Sequence, residues 1–340
     1  MTNVTERTTR TTIRMVAAEA GVSTAAVSYV LSGRRGGPGI SQATSDRVRA
    51  AAEKLGYHRN RAARTIRTGR TNLVLLSLTM LSDPWSLAMA QAVSGELSGD
   101  GITPMILADA DWSTVLDQQD ADAVFIDRPP DSPETLKRLT ELSARGVNLV
   151  IFSEENLEPD GFDVVRSPAL PGCALAIDHL LEQHTKIGAL SYTRTINPDQ
   201  PSRLDPYVNA LAAAGIELRQ TYIEKYENNP QSAYGAAVRL LSLPDRPTAI
   251  YATTDFAAIS AVQAAHRMGL RVPEDVSIIG AGNTPEGALM QPSLSSVGPS
   301  GFFEDVAALI KRRATGQDST PGNVYEFPWT IMVRDSTRHT

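Results

Sequence analysis

The chain has 340 residues, enough for two or three domains with well-buried cores. It contains neither a run of about 18 apolar residues, as a membrane span needs, nor a charged-then-apolar leader, so we expect no membrane protein and no exported one. The single cysteine, Cys173, excludes an internal disulfide and fits a reducing, cytoplasmic setting. The five histidines are scattered singly, so we expect no metal site and no cofactor.

The net charge of −6 conceals a difference between two parts of the chain. Residues 1–70 contain 13 Lys and Arg against 4 Asp and Glu, a net charge of +9. Residues 71–340 contain 19 and 34, a net charge of −15. A basic block favours nucleic-acid phosphates, whereas an acidic remainder is repelled by them. We therefore expect a small DNA-binding head on a larger acidic body.

Two short helices joined by a turn are predicted between residues 12 and 33. Each has apolar residues at the spacing i, i+3, i+4, namely Ile13, Val16 and Ala17 in the first and Val27, Val30 and Leu31 in the second. The hydroxyl of Thr12 is placed to cap the first helix, Gly21 ends it, and Ser23 is placed to cap the second. This pattern predicts a helix-turn-helix, although an ordinary helical hairpin has the same pattern.

The second of these helices leaves four residues on its outer face, namely Thr24, Ala25, Ser28 and Tyr29. In a helix-turn-helix the second helix enters the major groove of DNA. We therefore expect these four residues to face bases and phosphates, together with Thr12 and Ser23 at the two helix starts. Packing of Tyr29 against the following loop is the alternative for that residue.

A Gly-rich loop at residues 34–40 and a third helix, capped by Ser41 and ended by Gly56, complete the predicted head. The next segment, residues 60–67, predicts a helix of about seven residues with Asn60 as its cap and Arg64 among its basic residues. A helix this short is marginal in water. It either forms when two copies pair on DNA, which would couple the head to the body, or is a basic linker.

From residue 72 onward, short apolar strands alternate with amphipathic helices. Strands are predicted at 73–78, 104–107, 123–126, 148–152, 187–191, 222–223, 249–252, 276–279 and 325–333. Helices are predicted at 84–97, 133–145, 171–183, 203–214, 233–243 and 256–268. This alternation predicts parallel sheets, and its two consecutive series predict two doubly wound α/β lobes. Ligands of such lobes bind at the carboxyl ends of the strands, which places a cleft between them.

With these residues in view, nearly the whole chain resembles LacI-type transcriptional regulators. The most specific segments are TIRMVAAEAGVSTAAVSYVLSG (12–33), SDRVRAAAEKLGYHRNRAARTIRTGRTN (45–72) and IYATTDFAAISAVQAAHRMGLRVPEDVSIIG (250–280). The resemblance implies a helix-turn-helix head (1–58), a hinge helix or linker (59–71) and a body like periplasmic binding proteins (72–340). It also implies a repressor that binds a pseudopalindromic operator as a homodimer under the control of a small, sugar-like effector. Whether transcription is repressed or activated depends on where the operator lies.

The resemblance also assigns roles in the head and hinge. Thr24 and Ala25 occupy the main base-reading positions of the family. Tyr29 stands where many members have a guanine-reading arginine, so their operator preference does not transfer. Ile66 stands where a leucine usually wedges into the minor groove, and a buried hinge contact is its alternative role.

In the cleft, the resemblance assigns Arg203 to the arginine that grips a sugar hydroxyl or a carboxylate. Asp83 and Trp85 match an Asn-Pro-aromatic turn, so Trp85 is placed to stack on a ligand ring. Thr254 and Gly282 replace polar residues that the family usually has. We expect Asp255, which follows Thr254, to cap a helix rather than to contact the effector. This loss of polar residues fits a less hydroxylated effector, or a body that only dimerises.

Two other classes of protein fit the sequence less well. An enzyme is disfavoured, because GAGNTPEG lacks the spacing of a dinucleotide-binding loop and no G-x-S-x-G nucleophile elbow occurs. A solute-binding protein is disfavoured by the basic head and the missing leader. By resemblance, the dimer interface is expected beside residues 84–97 and 255–270, with lobe closure controlling the pairing of two hinge helices.

Overall fold

The computed structural model describes residues 11–31, 40–57, 65, 68–79, 81–193, 201–227, 229–317 and 320–338. The chain divides into two units, Met1–Thr71 and Asn72–Thr340. Within the described ranges, no helix is both long enough and apolar enough to cross a membrane.

The first unit contains the three predicted helices, α1 (Ile13–Ala20), α2 (Thr24–Leu31) and α3 (Gln42–Lys54). Their starts are capped as predicted, since Thr12 Oγ1 accepts a hydrogen bond from Met15 N at 3.4 Å and Ser23 Oγ accepts one from Ala26 N at 3.2 Å. The loop predicted at 34–40 lies outside the described residues except for residue 40.

The turn and the core of this unit also follow the prediction. Gly21 ends α1 in the left-handed region at φ 64°, which glycine adopts without strain. Val16, Val27 and Val48, one from each helix, are fully buried against one another. The helix-turn-helix and its third supporting helix are therefore confirmed.

In the second unit, the first lobe is a six-stranded sheet in the order β11-β5-β4-β3-β1-β2, with all strands parallel. Its strands are β1 (Leu73–Leu78), β2 (Thr103–Ala108), β3 (Ala123–Asp127), β4 (Leu149–Ser153), β5 (Asp163–Arg166) and β11 (Val324–Glu326). Its helices are α4 (Pro84–Glu96), α5 (Trp112–Gln118), α6 (Pro133–Ala144) and α12 (Phe302–Thr315). The inner strands are buried on both faces because helices cover both sides of the sheet, which explains their nearly continuous apolar sequences.

The second lobe is a six-stranded sheet in the order β12-β10-β9-β8-β6-β7. Its strands are β6 (Ile187–Tyr192), β7 (Ile223–Tyr226), β8 (Ala249–Ala252), β9 (Ser277–Ala281), β10 (Ser295–Gly298) and β12 (Thr330–Met332). Its helices are α7 (Ala169–Leu181), α8 (Asp205–Ala213), α9 (Pro230–Leu241), α10 (Asp255–Arg267) and α11 (Pro285–Leu289). Only β12 runs antiparallel to its neighbour, β10, among the strands described. The predicted α/β class with two doubly wound lobes is confirmed.

The sequence predicted two lobes that follow one another along the chain. In the structure, the chain begins the second lobe before the first is complete. The chain passes between them three times, at residues 167–168, 299–301 and 327–329. As a result, α12 returns to the first lobe, where it packs against α4. The single strand predicted at 325–333 was wrong, because Pro328 separates two short strands that join different sheets. Strands β5 and β10, each of four residues, were not predicted.

The packing of one of these connections can be tested at Gly172 of α7. A Cβ atom at this position would lie 2.4 Å from Trp329 Cβ, far inside contact distance, and Trp329 is only 9% exposed. We expect Gly172→Ala to lower the free energy of unfolding by about 1–3 kcal/mol, the usual cost of overpacking. Gly235→Ala on α9 is the matched control, since its Cβ would meet only Arg239 Nη1 at 3.6 Å. Urea unfolding decides, and equal midpoints for both variants would contradict the prediction.

Candidate functional site

The outer face of α2 has the exposure that a DNA-reading helix needs. Thr24, Ala25 and Ser28 are exposed and Tyr29 is half-buried, while the opposite face lies in the core of the head. Thr12 and Ser23 are exposed at the starts of α1 and α2, where free backbone N–H groups favour phosphate. The remaining predicted DNA contacts, Asn60, Arg64 and Ile66, lie outside the described residues.

Within the second unit, a cleft lies between the two lobes at the carboxyl ends of the parallel strands, as expected for doubly wound sheets. Five of its lining residues directly follow a strand. For example, Arg128 comes after β3, Glu154 after β4 and Gly282 after β9. The full lining consists of Asp83, Trp85, Arg128, Phe152, Glu154, Ser167, Arg203, Thr254, Asp255, Ala281, Gly282, Thr284, Pro299 and Trp329. The cleft therefore contains all six candidate residues, including Asp255, for which we expected a role as helix cap.

An ion pair crosses the cleft from one lobe to the other. Arg203 of the second lobe donates to both oxygens of Glu154 in the first, with Nη2 to Oε1 at 2.5 Å and Nε to Oε2 at 3.3 Å. Its third nitrogen, Nη1, donates to the carbonyl of Thr253 at 2.9 Å. Arg128 Nη1 donates to Glu154 Oε1 at 3.3 Å from the other side. One carboxylate thus receives hydrogen bonds from two guanidinium groups.

This ion pair is only partly accessible to solvent. The side chains of Arg203 and Glu154 are 19% and 21% exposed, against 40% for Arg128. Burial disfavours the charged form of Glu154, but Arg203 and Arg128 outweigh it and hold the pKa of this carboxyl below its usual range. Burial likewise opposes ionisation of Arg203, and Glu154 reverses this and raises its pKa. All three groups are therefore charged near neutral pH.

Aromatic rings form two walls of the cleft. Trp85 stacks on Phe152 with ring centroids 5.1 Å apart and an interplanar angle of 17°, and Phe302 and Phe303 support it from behind. On the facing side, the guanidinium of Arg203 lies 4.9 Å from the ring centroid of Trp329. Each wall offers an apolar face beside a charged group, which is the usual composition of a small-molecule site.

The wall at Trp329 is fixed to the connections between the lobes. Trp329 Nε1 donates to Ser167 Oγ at 2.9 Å, and that hydroxyl donates to the carbonyl of Phe327 at 2.9 Å. Two of the three crossings are therefore tied together at the edge of the cleft. A change in the angle between the two lobes would therefore move the ring of Trp329.

The prediction for Asp255 as a helix cap was wrong. The helix begins one residue earlier than predicted, so Thr254 is the N-cap and accepts from Ala257 N at 3.2 Å. The buried carboxylate of Asp255 instead accepts from Thr284 N at 2.6 Å and from Ser296 Oγ at 2.5 Å. Burial raises its pKa. Asp255 lies at the cleft, but its oxygens bond to the protein itself.

The other predicted cleft residues also have roles within the protein. Asp83 caps α4 by accepting from Trp85 N at 3.0 Å, and burial raises its pKa. The hydroxyl of Thr254 lies 2.9 Å from that of Tyr226, whose pKa burial raises to about 12. Gly282 has a φ of 138°, a backbone conformation that would be strained for a residue with a side chain.

The charged and aromatic partners of Arg203, namely Glu154, Arg128 and Trp329, were not predicted. Arg128 and Glu154 had a usable signal, because each is the first residue after a buried strand that ends at the cleft. Trp329 had none, since it belongs to a connection whose course depends on how the two sheets are assembled.

Comparison with known proteins agrees with this architecture. The profile of the family "Bacterial regulatory proteins, lacI family" matches residues 12–60, and that of the "Periplasmic binding protein-like domain" matches residues 177–337. The HTH-type transcriptional repressor PurR of Erwinia tasmaniensis is 30% identical over 295 residues, which is 84% of each chain.

Solved structures cover almost the whole chain. A transcriptional regulator, CelR, in complex with cellobiose is 26% identical, covering 96% of this chain and 100% of its own, with a TM-score of 0.58. The lac repressor dimer bound to operator and the anti-inducer ONPF is 20% identical, covering 97% and 99%, with a TM-score of 0.67, and it shows the likeness of fold. From its helix-turn-helix, its two-lobed body and these similarities, we conclude that the chain belongs to the LacI family of bacterial transcriptional regulators.

Proposed function

We propose that this chain is a repressor that binds a pseudopalindromic operator as a homodimer, and that an effector in the cleft sets its affinity for DNA. The observation that carries the proposal is the ion pair between Arg203 and Glu154, which joins the two lobes at the cleft where we place the effector. The proposed division is a head (1–58), a hinge helix or linker (59–71) and an effector-binding body (72–340).

The proposed DNA contacts are residues at the starts of α1 and α2, residues on the outer face of α2, and three residues of the hinge. Thr24 and Ala25 reach base edges, and Tyr29 offers one hydroxyl and a ring face instead of an arginine fork. The hydroxyls of Thr12, Ser23 and Ser28 contact phosphates. In the hinge, Asn60, Arg64 and Ile66 approach the minor groove, with Ile66 as the apolar wedge.

The proposed effector contacts are Trp85, which stacks on a ring, and Arg203, which donates hydrogen bonds. The contacts of Arg203 with Glu154 and Thr253 use three of the five N–H groups of its guanidinium. Asp83, Thr254, Asp255 and Gly282 shape the cleft through their backbone and their internal hydrogen bonds. No catalytic role is proposed for any of these groups.

The proposed homodimer pairs the bodies beside α4 and α10. Leu87 on α4 exposes 48% of its surface and Leu289 on α11, a helix that contacts α4, exposes 87%. Large apolar side chains exposed on adjacent elements favour a partner surface. The lac repressor, which has the same fold, is a dimer in its operator complex. The proposed binding to DNA supports a location in the bacterial cytoplasm.

The proposal is tested by selecting duplexes from a random pool with the purified full-length chain. We expect enrichment of a pseudopalindrome, and we expect Thr24→Ala to lose about 1–3 kcal/mol of discrimination at one base pair of each half-site. Ala18→Ser, at an exposed position of α1, is the control and should leave the enriched site unchanged. Failure to enrich any sequence, with only weak binding that disappears as salt rises, would contradict the proposal.

A further inference from the structure

The cleft already contains a carboxylate at the position where its two arginines converge. We propose that Glu154 is a specificity-determining residue that occupies the anion-binding position of the cleft, so that the effector is an uncharged molecule and carboxylates and phosphates are excluded. This inference rests on the proposed effector site and adds the chemical class of its ligand.

The geometry of the ion pair is the first argument. Arg203 approaches Glu154 with two nitrogens on two oxygens, which is the fork arrangement that guanidinium uses to recognise carboxylates. Arg128 donates to the same carboxylate at 3.3 Å. A ligand carboxylate or phosphate that used this fork would displace Glu154. It would leave that side chain, 21% exposed, without the groups that stabilise its charge.

The balance of charge is the second argument. The titratable groups lining the cleft are two cations, Arg128 and Arg203, and three carboxyl groups, those of Asp83, Glu154 and Asp255. Arg128 is further neutralised by its buried neighbour Asp127, with Nε and Oδ1 2.8 Å apart. The cleft therefore has no surplus positive charge for an anion, which would lose its hydration on entry.

The aromatic walls of the cleft indicate which kind of effector it binds. Trp85 is half-buried and backed by Phe152, and the ring of Trp329 lies across the cleft on the second lobe. The half-buried ring of Trp85, with a few polar groups around it, favours an uncharged ring compound, held by stacking on Trp85 and by hydrogen bonds to Arg203 and Glu154. Glu154 then serves as an acceptor for a donor group of the ligand.

The test uses the full-length chain with acetate as the probe. Glu154→Ala removes the carboxylate and leaves space for a small one, whereas Glu155→Ala, at the exposed next residue, is the matched control. Two of the three tryptophans, Trp85 and Trp329, line the cleft, so binding is followed by tryptophan fluorescence and by the melting temperature. Sodium chloride at equal ionic strength controls for screening.

We expect saturable acetate binding to Glu154→Ala at least tenfold tighter than to the unmodified protein or to Glu155→Ala, together with a rise in melting temperature. Succinate and inorganic phosphate should leave the unmodified protein unchanged. Equal acetate binding by the unmodified protein and Glu154→Ala, or none by either, would overturn the proposal. Because Glu154→Ala also removes contacts between the lobes, Glu154→Ser is the second variant: it too vacates the carboxylate position, and its gain in acetate binding is a second decisive result.

These results are independent of the DNA-binding test. A chain that selects an operator but shows no gain of anion binding in the Glu154 variants would refute only the specificity assignment. A chain that selects no duplex would refute the repressor function, and the acetate titration would still decide the role of Glu154.

Discussion

Arg203→Ala is expected to loosen the contact between the two lobes and to lower the free energy of unfolding by about 2 kcal/mol. The substitution removes both hydrogen bonds to Glu154, the bond to the Thr253 carbonyl and the contact with the Trp329 ring. Removing one partner of a buried ion pair costs about 3–5 kcal/mol. We expect a smaller loss here because the side chains of Arg203 and Glu154 are 19% and 21% exposed.

Calorimetry measures the loss of stability in Arg203→Ala, and small-angle scattering measures the separation of its lobes. A loss of 2 kcal/mol corresponds to a melting temperature lower by roughly 4–8 °C for a unit of this size. The radius of gyration should increase as the lobes separate. Arg271→Ala is the control, because its pair with Asp275 is on the surface, with Arg271 71% exposed, and surface pairs contribute little. If Arg203→Ala behaved like this control in both measurements, the ion pair would not hold the cleft closed.

Arg313→Met is expected to have the largest effect on stability, about 3–5 kcal/mol, the usual cost of leaving a buried charge without its partner. Arg313 of α12 and Asp163 of β5 are 2% and 0% exposed. Arg313 Nη2 donates to Asp163 Oδ1 at 2.9 Å and also to the Thr320 carbonyl at 2.9 Å. The pair fastens the returning helix to the sheet of the first lobe.

The reason for this loss can be separated from lost packing by a double variant. Arg313→Met combined with Asp163→Leu removes both charges, and replacing a buried pair by apolar groups is often close to neutral. Full recovery is not expected, because Asn323 N loses its acceptor, Asp163 Oδ1 at 3.1 Å. Urea unfolding of the single and double variants decides. A single variant that loses less than about 1 kcal/mol, the scale of an exposed ion pair, would contradict the prediction.

Local signals in the sequence were enough to predict the head. Thr12, Ser23 and Ser41 cap the helices for which they were proposed, and Gly21 makes the turn in the left-handed conformation. These features depend on residues within a few positions of one another. The apolar strands of the body were recognised for the same reason, since helices on both faces require nearly continuous apolar runs.

Other features depend on how distant segments assemble, and they were missed. The spacing of apolar residues does not say which sheet a strand joins, so the division of 325–333 between two lobes was not predictable. The partner of Arg203 is Glu154, 49 positions away on the other lobe. The role of Asp255 depended on a shift of one residue in the helix start.

The structure shows which groups make the cleft polar although polar residues that are usual in the family are replaced. Thr254 and Gly282 contribute their backbone and internal bonds, while Arg128 and Glu154 supply the charged groups. The cleft is therefore not stripped of polar chemistry. It carries two guanidinium groups, a carboxylate between them and two tryptophan rings, which are groups that a small-molecule site can use.

We propose that the cleft of the body controls the affinity of the head for DNA. The most direct measurement compares the dissociation constants of the unmodified chain and Arg203→Ala for the selected operator, at one salt concentration and beside Arg271→Ala. We predict a change of about fivefold or more for Arg203→Ala in either direction, the lower end of usual allosteric coupling, and none for the control. Unchanged operator affinity in an Arg203→Ala protein whose lobes have separated in solution would contradict the claim.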